Sequence, residues 1–302
     1  MSKILITGGN GFIGSRVASL LSKSHKVVLL DLVKNQKFDS LIYDITDNSW
    51  IDSVGKFDYV FHFASVGWGS YKASNPVKLI HTELAGLYNV LDYTLKNNTK
   101  KIIYSSSGLL SDEFKRAFTF SEIDSNPFFS YPAAKLMGEY FLKEFHKENN
   151  TGYSIVRYYT VYGENQHDGM AVPSFIRSAI EGKPIVVYGS GKQKRDFTYV
   201  GDAAKATILT AFSGNTFSKA VNIGTGKNTT LIETAKLIKK LTKSGSEIIH
   251  DNFPENLEAL ETERMAFSSS YLKELIGFEC KTSLEQGLKK VINSIEENGL
   301  SE

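Results

Sequence analysis

Through the first half of the chain, short blocks of consecutive apolar residues alternate with longer stretches whose apolar residues recur every three to four positions. Lys3–Thr7 and residues 26–30, 58–63 and 101–105 are of the first kind, rich in β-branched or aromatic residues, and predict buried strands. Residues 12–22 predict the first helix. Pro76–Asn97 sets Val77, Ile80, Leu84, Leu87, Leu91 and Leu95 at helical spacing behind a proline, the pattern of a long amphipathic helix. A helix over 131–149 and a strand over 154–157 continue the rhythm. Such alternation predicts an α/β fold: a Rossmann-type doubly wound parallel sheet with helices on both faces.

Beyond about position 162 the texture changes. Residues 163–170 are polar and loop-like, and 182–194 are rich in Gly and Lys around a short predicted strand at 184–188. Helices are predicted over Leu231–Leu241 and 284–295. No repeat, low-complexity tract or linker breaks the chain. The expected organisation is a sheet domain over 1–161, which also takes in about 196–225. A smaller interleaved α/β substrate lobe would cover 162–195 and 226–302.

The 302 residues are 41% hydrophobic and 23% charged, ordinary usage for a chain that buries a core. Lys and Arg number 35 against 33 Asp and Glu, so the basic excess expected of a nucleic-acid binder is missing. The one cysteine, Cys280, has no internal partner, which suits a reducing cytoplasm. Apolar runs fall short of the roughly 18 residues that span a bilayer, so no membrane partner is expected. The strand pattern starts at Lys3, leaving no room for a signal peptide. The six histidines are scattered, and no metal site is expected.

Candidate chemistry sits at the strand ends. Gly8, Gly11 and Gly14 fall where the first strand meets the first helix. There they permit a tight turn, close approach of a pyrophosphate to backbone N–H groups, and close helix–strand packing. A plain strand–helix turn would also accept them. Asp31 ends the next strand, where a carboxylate can hold ribose hydroxyls and repel a 2′-phosphate; NAD is therefore favoured over NADP. Lys34 and Lys37 follow, either softening that preference or standing as surface lysines. Asp44 and Ile45 read as an adenine contact or as an ordinary strand end.

Tyr131 and Lys135 are neighbours on one helix face. A phenol titrates near 10, and lowering it by about three units takes roughly 4 kcal/mol of differential stabilisation, part of which Lys135 could supply. Ser105, Ser106 and Ser107 end the strand before that helix, and Ser107 could hold the same substrate hydroxyl.

These features, with His62–Phe63–Ala64–Ser65, occur in an order and spacing that resembles the extended short-chain dehydrogenase/reductase family. The likeness is to its NAD-dependent epimerase/dehydratase branch, whose members of UDP-glucose 4-epimerase type modify nucleotide sugars. The segments 157–163, 182–185, 195–200 and 221–226 extend it over nearly the whole chain. The resemblance implies reversible hydride transfer between a sugar carbon and bound NAD, with Tyr131 taking the hydroxyl proton, Lys135 tuning it and Ser107 placing it. It puts Gly8, Gly11, Phe12, Ile13, Gly14, Asp31, Asp44, Ile45, Phe63, Ala64, Ser65, Tyr131, Lys135 and Tyr159 on cofactor-contact positions. For the nucleotide-diphosphate sugar it implies Ser107, Trp68, Thr160, Val187, Arg195 and Arg264. Trp68 would wall the sugar pocket or simply pack; Arg264 would meet the diphosphate or flank a helix. A homodimer through the helices starting at Pro76 and near Tyr131 is the family's habit, unless the sheet uses up their apolar residues.

Departures narrow the reading. Dehydratases of the branch carry an Asp–Glu pair where Gly108 and Leu109 stand here, and UDP-glucuronate decarboxylases a Glu at Leu109. Both chemistries are thereby demoted. Glu83 replaces an expected Asn and would repel a pyrophosphate unless it turns away. The expectation is an NAD-dependent nucleotide-sugar epimerase, at C4. The alternatives are an NAD(P)H-dependent reductase of a 4-keto-6-deoxy sugar, the demoted UDP-glucuronate decarboxylase or dehydratase, and a non-catalytic NAD sensor.

Overall fold

A computed structural model describes residues 1–66, 76–110, 130–253 and 270–298. The chain forms two compact units. The first comprises Met1–Tyr158, Ala204–Ile223 and Leu272–Phe278; the second comprises Tyr159–Ala203, Gly224–Tyr271 and Glu279–Glu302.

The first unit is built on strands β1 (Lys3–Thr7), β2 (Lys26–Asp31), β3 (Asp39–Ile42), β4 (Tyr59–His62), β5 (Lys101–Ser107) and β6 (Gly152–Tyr158), with Lys219–Ile223 added at one edge. All pair in parallel, with Lys219–Ile223 outermost, then β6, β5, β4, β1, β2 and β3. Ile4, Leu5 and Ile6 have no exposed surface, as both-face coverage of a parallel sheet demands. From β1 the chain winds outward through β2 and β3, and from β4 in the opposite direction. The Thr7–His62 pair therefore marks the switch point, where open α/β sheets bind ligands beyond the strands' carboxyl ends.

Helices α1 (Phe12–Leu21), α2 (Pro76–Asn97) and α3 (Ser130–Asn149) cover this sheet. Pro76 fits the first turn of α2, which lacks intrahelical acceptors for its N–H groups. Asn98 and Asn150, with φ of 52° and 53°, end α2 and α3 in the left-handed conformation that asparagine tolerates. The buried face of α2 includes Leu79, Leu87, Val90 and Leu91, and the last three meet Leu5, Val60, Ile102 and Ile155 in one core. Val77, Ile80 and Leu95, predicted to lie on that face, are instead 70%, 40% and 44% exposed. The apolar stripe of α2 is wider than the sheet can cover, because Tyr88 and these three turn away from it.

Among its described residues the second unit has three two-stranded pairs: Thr160–Tyr162 with Phe197–Tyr199, Ile185–Tyr188 with Ile248–Asp251, and Lys194–Arg195 with Thr229–Thr230. Ala171–Ile180, Leu231–Leu241 and Leu284–Asn298 are its long helices. The Leu231 helix opens on a capping box, with Thr230 and Glu233 satisfying each other's backbone N–H groups.

Residues 159–161 and 224–225 fall in the second unit, and the boundaries differ more widely from those expected at two further places. Residues 196–203 belong to the second unit, where Asp196 accepts Thr225 N and Gly226 N, both at 2.9 Å, and Asp202 accepts Thr282 N at 2.8 Å. Leu272–Phe278 belongs to the first. There the Leu275 carbonyl accepts the Ser213 hydroxyl at 3.2 Å, and the Phe278 ring lies 5.0 Å from the Lys205 ammonium.

Candidate active site

The turn after β1 leaves little room for side chains. Gly8 sits at φ +67°, and a Cβ there would lie 2.6 Å from the backbone nitrogen of Ala64, so no other residue fits without displacing the end of β4. A Cβ on Gly14 would meet the Gly8 carbonyl oxygen, which is how α1 starts so close to the strand. Gly11 N donates to Gly8 O at 3.1 Å and closes the turn, while Phe12 and Ile13 begin α1 half-buried. The turn and its acidic neighbour are one structure. Asp31 accepts Asn10 N and Leu32 N, each at 2.8 Å. Asn10 also donates to Val33 O at 2.8 Å and accepts from Asn35 at 2.7 Å. Asn10 and Asn35 were not anticipated; the signal was an asparagine inside the glycine turn. Lys34 and Lys37 are exposed.

The Asp44 carboxylate accepts the N–H and hydroxyl of Thr46 at 2.9 and 2.8 Å. Ile45 is buried in the core, its carbonyl accepting the Asn89 amide at 2.9 Å. At the switch point, His62 Nδ1 and Thr7 Oγ1 share a 2.7 Å hydrogen bond. Burial, reinforced by the Lys135 charge, pushes that imidazole down to about 3, so it is neutral. Phe63, Ala64 and Ser65 follow, half-buried.

Ser107 closes β5, is 9% exposed, and its Oγ accepts Leu109 N at 3.2 Å within a tight turn over Gly108–Leu110. α3 places Tyr131 and Lys135 one turn apart, with the Lys135 ammonium 5.8 Å from the centre of the Tyr131 ring and 5.1 Å from that of Tyr104. Lys135 is buried and holds the Glu83 carboxylate at 2.9 Å, and the other oxygen of Glu83 accepts the Ser65 hydroxyl. Glu83 is thus turned away onto Lys135, the orientation the sequence left open, and the Ser65 hydroxyl is directed to Glu83. The Tyr131 phenol lies above its ordinary value. Burial raises the phenol, Lys135 draws it down, and Glu83 raises it again; burial prevails. Burial pushes Lys135 down, but the Glu83 charge and hydrogen bond, together with Tyr104 and Tyr131, hold it above the ordinary lysine range.

In the second unit, Tyr159 packs beside Gly224, and Thr160 N donates to Asp196 O at 3.0 Å. Arg195 is buried, pairs with Thr229 in its short ladder and donates to Lys194 O at 2.8 Å. Val187 has no exposed surface and packs near Gly191. Trp68 and Arg264 lie outside the described residues. Among the described residues no group of His, Cys, Asp or Glu is arranged to hold a metal, and no helix is long and apolar enough to cross a membrane.

Comparison with known proteins bears on this arrangement. Residues 4–224 match the NAD dependent epimerase/dehydratase family. The chain is 33% identical to the UDP-N-acetyl-alpha-D-glucosaminuronate decarboxylase of Bacillus cytotoxicus, over 96% of each chain. It is 28% identical to the UDP-glucuronate 4-epimerase of Thermodesulfobacterium geofontis, over 99% of this chain and 97% of that one. Among solved structures, the UDP-glucose 4-epimerase of Thermotoga maritima, crystallised with UDP-glucose, superposes with a TM-score of 0.85 at 27% identity. The match covers 98% of this chain and 99% of that one.

Proposed function

We propose, for a chain that belongs to the NAD-dependent epimerase/dehydratase family and has NAD as its cofactor, that it is a UDP-sugar epimerase acting at C4. The cradle of Gly8, Gly11 and Gly14, where a Cβ would press on the Ala64 backbone or the Gly8 carbonyl, lets the strand, the turn and the start of α1 approach closely, an arrangement that suits a pyrophosphate at the helix N-terminus. Asp31 beside it fits a ribose diol. When bound, NAD supplies a hydride acceptor that can return what it takes. Tyr131 removes the C4 hydroxyl proton and later gives it back; Ser107 holds that oxygen by hydrogen bonding; Lys135 supplies the nearby positive charge. Arg195 is assigned to the substrate diphosphate, for which a guanidinium offers a matching fork of donors.

The observation that carries epimerisation over elimination is the turn after Ser107. Gly108 and Leu109 bring no acid there, and the Leu109 N–H is engaged by Ser107 itself. A second reading is favoured by the 33% identity to a decarboxylase. Oxidation at C4 turns a hexuronate into a β-keto acid, which can lose carbon dioxide without a further acid. Proton NMR of the anomeric region separates the two, after incubation of the protein and NAD with UDP-glucose, UDP-N-acetylglucosamine and their uronates. A new hexose or hexuronate epimer with no net cofactor change supports the proposal. Pentose signals with carbon dioxide release support the second reading instead.

The exposed Val77, Ile80 and Tyr88 of α2 and Met137, Tyr140 and Phe141 of α3 support a further part of the proposal, a homodimer joined through these helices. Light scattering with chromatography tests it, with twice the chain mass expected.

A further inference from the structure

Glu83 is fully buried, and it joins three elements through one carboxylate: α2 that carries it, α3 through Lys135 at 2.9 Å, and the segment after β4 through the Ser65 hydroxyl. A carboxylate this close to a buried ammonium cancels much of the field the ammonium casts beyond it. Lys135 is the cation expected to hold a Tyr131 phenolate, so its partner governs how well it can do so. We infer that Glu83 is a positioning residue which fixes Lys135 and, by countering its charge, sets the pH at which Tyr131 releases its proton. The inference rests on the reading of Tyr131 as the acid–base group.

The other groups around the pair are accounted for. On α3, Glu139 is committed to Arg157 of β6 and Ser106 of β5. β5 contributes Tyr104, whose ring faces Lys135; β4 contributes the neutral His62; β6 contributes Tyr158, whose hydroxyl is bonded to Thr207 at 2.7 Å. Among the described residues, Glu83 is the carboxylate in ion-pair contact with Lys135. The raised Tyr131 phenol is in keeping with that arrangement.

Glu83→Gln keeps the shape and an oxygen for the Ser65 hydroxyl while removing the charge. Carbon-13 NMR of cofactor-free protein labelled at tyrosine Cζ reads the titration, with the Tyr131 signal assigned by its loss in Tyr131→Phe. The phenol is expected to titrate at least about 1 unit lower in Glu83→Gln, and the acid limb of kcat/KM to move the same way. Glu83→Asp, which keeps the charge, is expected to titrate as the unsubstituted protein does. An unmoved phenol in Glu83→Gln overturns the inference, as does a Glu83→Asp protein that shifts like Glu83→Gln. If Glu83→Gln does not fold, nitrogen-15 NMR of Lys135 in the unsubstituted protein decides. An ammonium retained beyond the ordinary lysine value of about 10.4 supports the inference, and one lost below that value overturns it. If the phenol shifts as expected but no nucleotide sugar is converted, the inference stands and the proposed function falls.

Discussion

Glu139 of α3 takes both arms of the Arg157 guanidinium of β6, at 2.8 Å to Nε and 2.6 Å to Nη2, and accepts the Ser106 hydroxyl of β5 at 2.7 Å. A buried carboxylate shared among three elements locks α3 against the two strands it covers, and so fixes where Tyr131 and Lys135 stand. Removing one partner strands the other charge out of water, a loss of about 3–5 kcal/mol. Arg157→Met is therefore expected to lower unfolding stability by that amount in urea titrations of the cofactor-free protein. The double variant Arg157→Met/Glu139→Leu is expected to recover most of it. A double variant as unstable as the single one would show that the contact is not the cause.

Gly14 tests the cradle. A methyl group at this position would press on the Gly8 carbonyl oxygen, and relieving that contact must move either α1 or the turn. Gly14→Ala is expected to weaken NAD binding more than about tenfold, or about 1.4 kcal/mol, by calorimetry. Gly55→Ala, where a Cβ would find nothing within 4 Å, is the matched control and is expected to bind as before.

Asp31 tests cofactor choice. Its carboxylate already orders Asn10 N and Leu32 N, so its negative charge is fixed beside the cradle and disfavours a 2′-phosphate. Asp31→Ser is expected to lose NAD affinity about tenfold or more and to narrow the gap between NAD and NADP. Fluorescence titration with both reduced cofactors checks it, and an unchanged preference would count against the assignment.

Tyr131→Phe removes the phenol proposed to accept and return the hydroxyl proton. Turnover is expected to fall on the order of 10²–10⁴-fold, while NAD affinity stays within about twofold. Loss of NAD binding alongside turnover would instead make Tyr131 a cofactor anchor.

Much of this was legible in the chain, for identifiable reasons. β1 and α2 follow from local patterning, since a parallel strand is apolar on both faces and Pro76 marks a helix start. The glycine turn and Asp31 were readable because backbone geometry restricts those positions to few residues. What local pattern does not carry is which partner a buried charge will find. Glu83 and Lys135 lie far apart in sequence and meet because α2 and α3 pack side by side, so the carboxylate read as a threat to phosphate became a brace for lysine. The exposed Val77, Ile80 and Leu95 were misread for a related reason: helical spacing identifies a stripe without showing how much of it the sheet covers. The helices Ala171–Ile180 and Val200–Phe212 were missed because Pro173 in the first, and Gly201 with Thr207, Ile208 and Thr210 in the second, lower the local helical preference.

His62 gives the fold a specific acid sensitivity. Buried beside Thr7 at the β1–β4 junction, its imidazole is held down to about 3, first by burial and then by the Lys135 charge, against about 6.5 in an unfolded chain. The native ring therefore stays neutral where the unfolded one takes a proton. Its contribution is fully present above about 6.5 and is lost progressively as pH falls from there towards 3. Between pH 7 and pH 5 this one site is expected to cost about 2 kcal/mol. His62→Gln cannot take up the proton in either state, so it should lose about that much less than the unsubstituted protein over the same interval, whatever its stability at pH 7. Urea titrations of both proteins at the two pH values measure the difference. Equal losses would mean that the imidazole is charged in the folded protein, and that the switch point carries a cation beside the cradle.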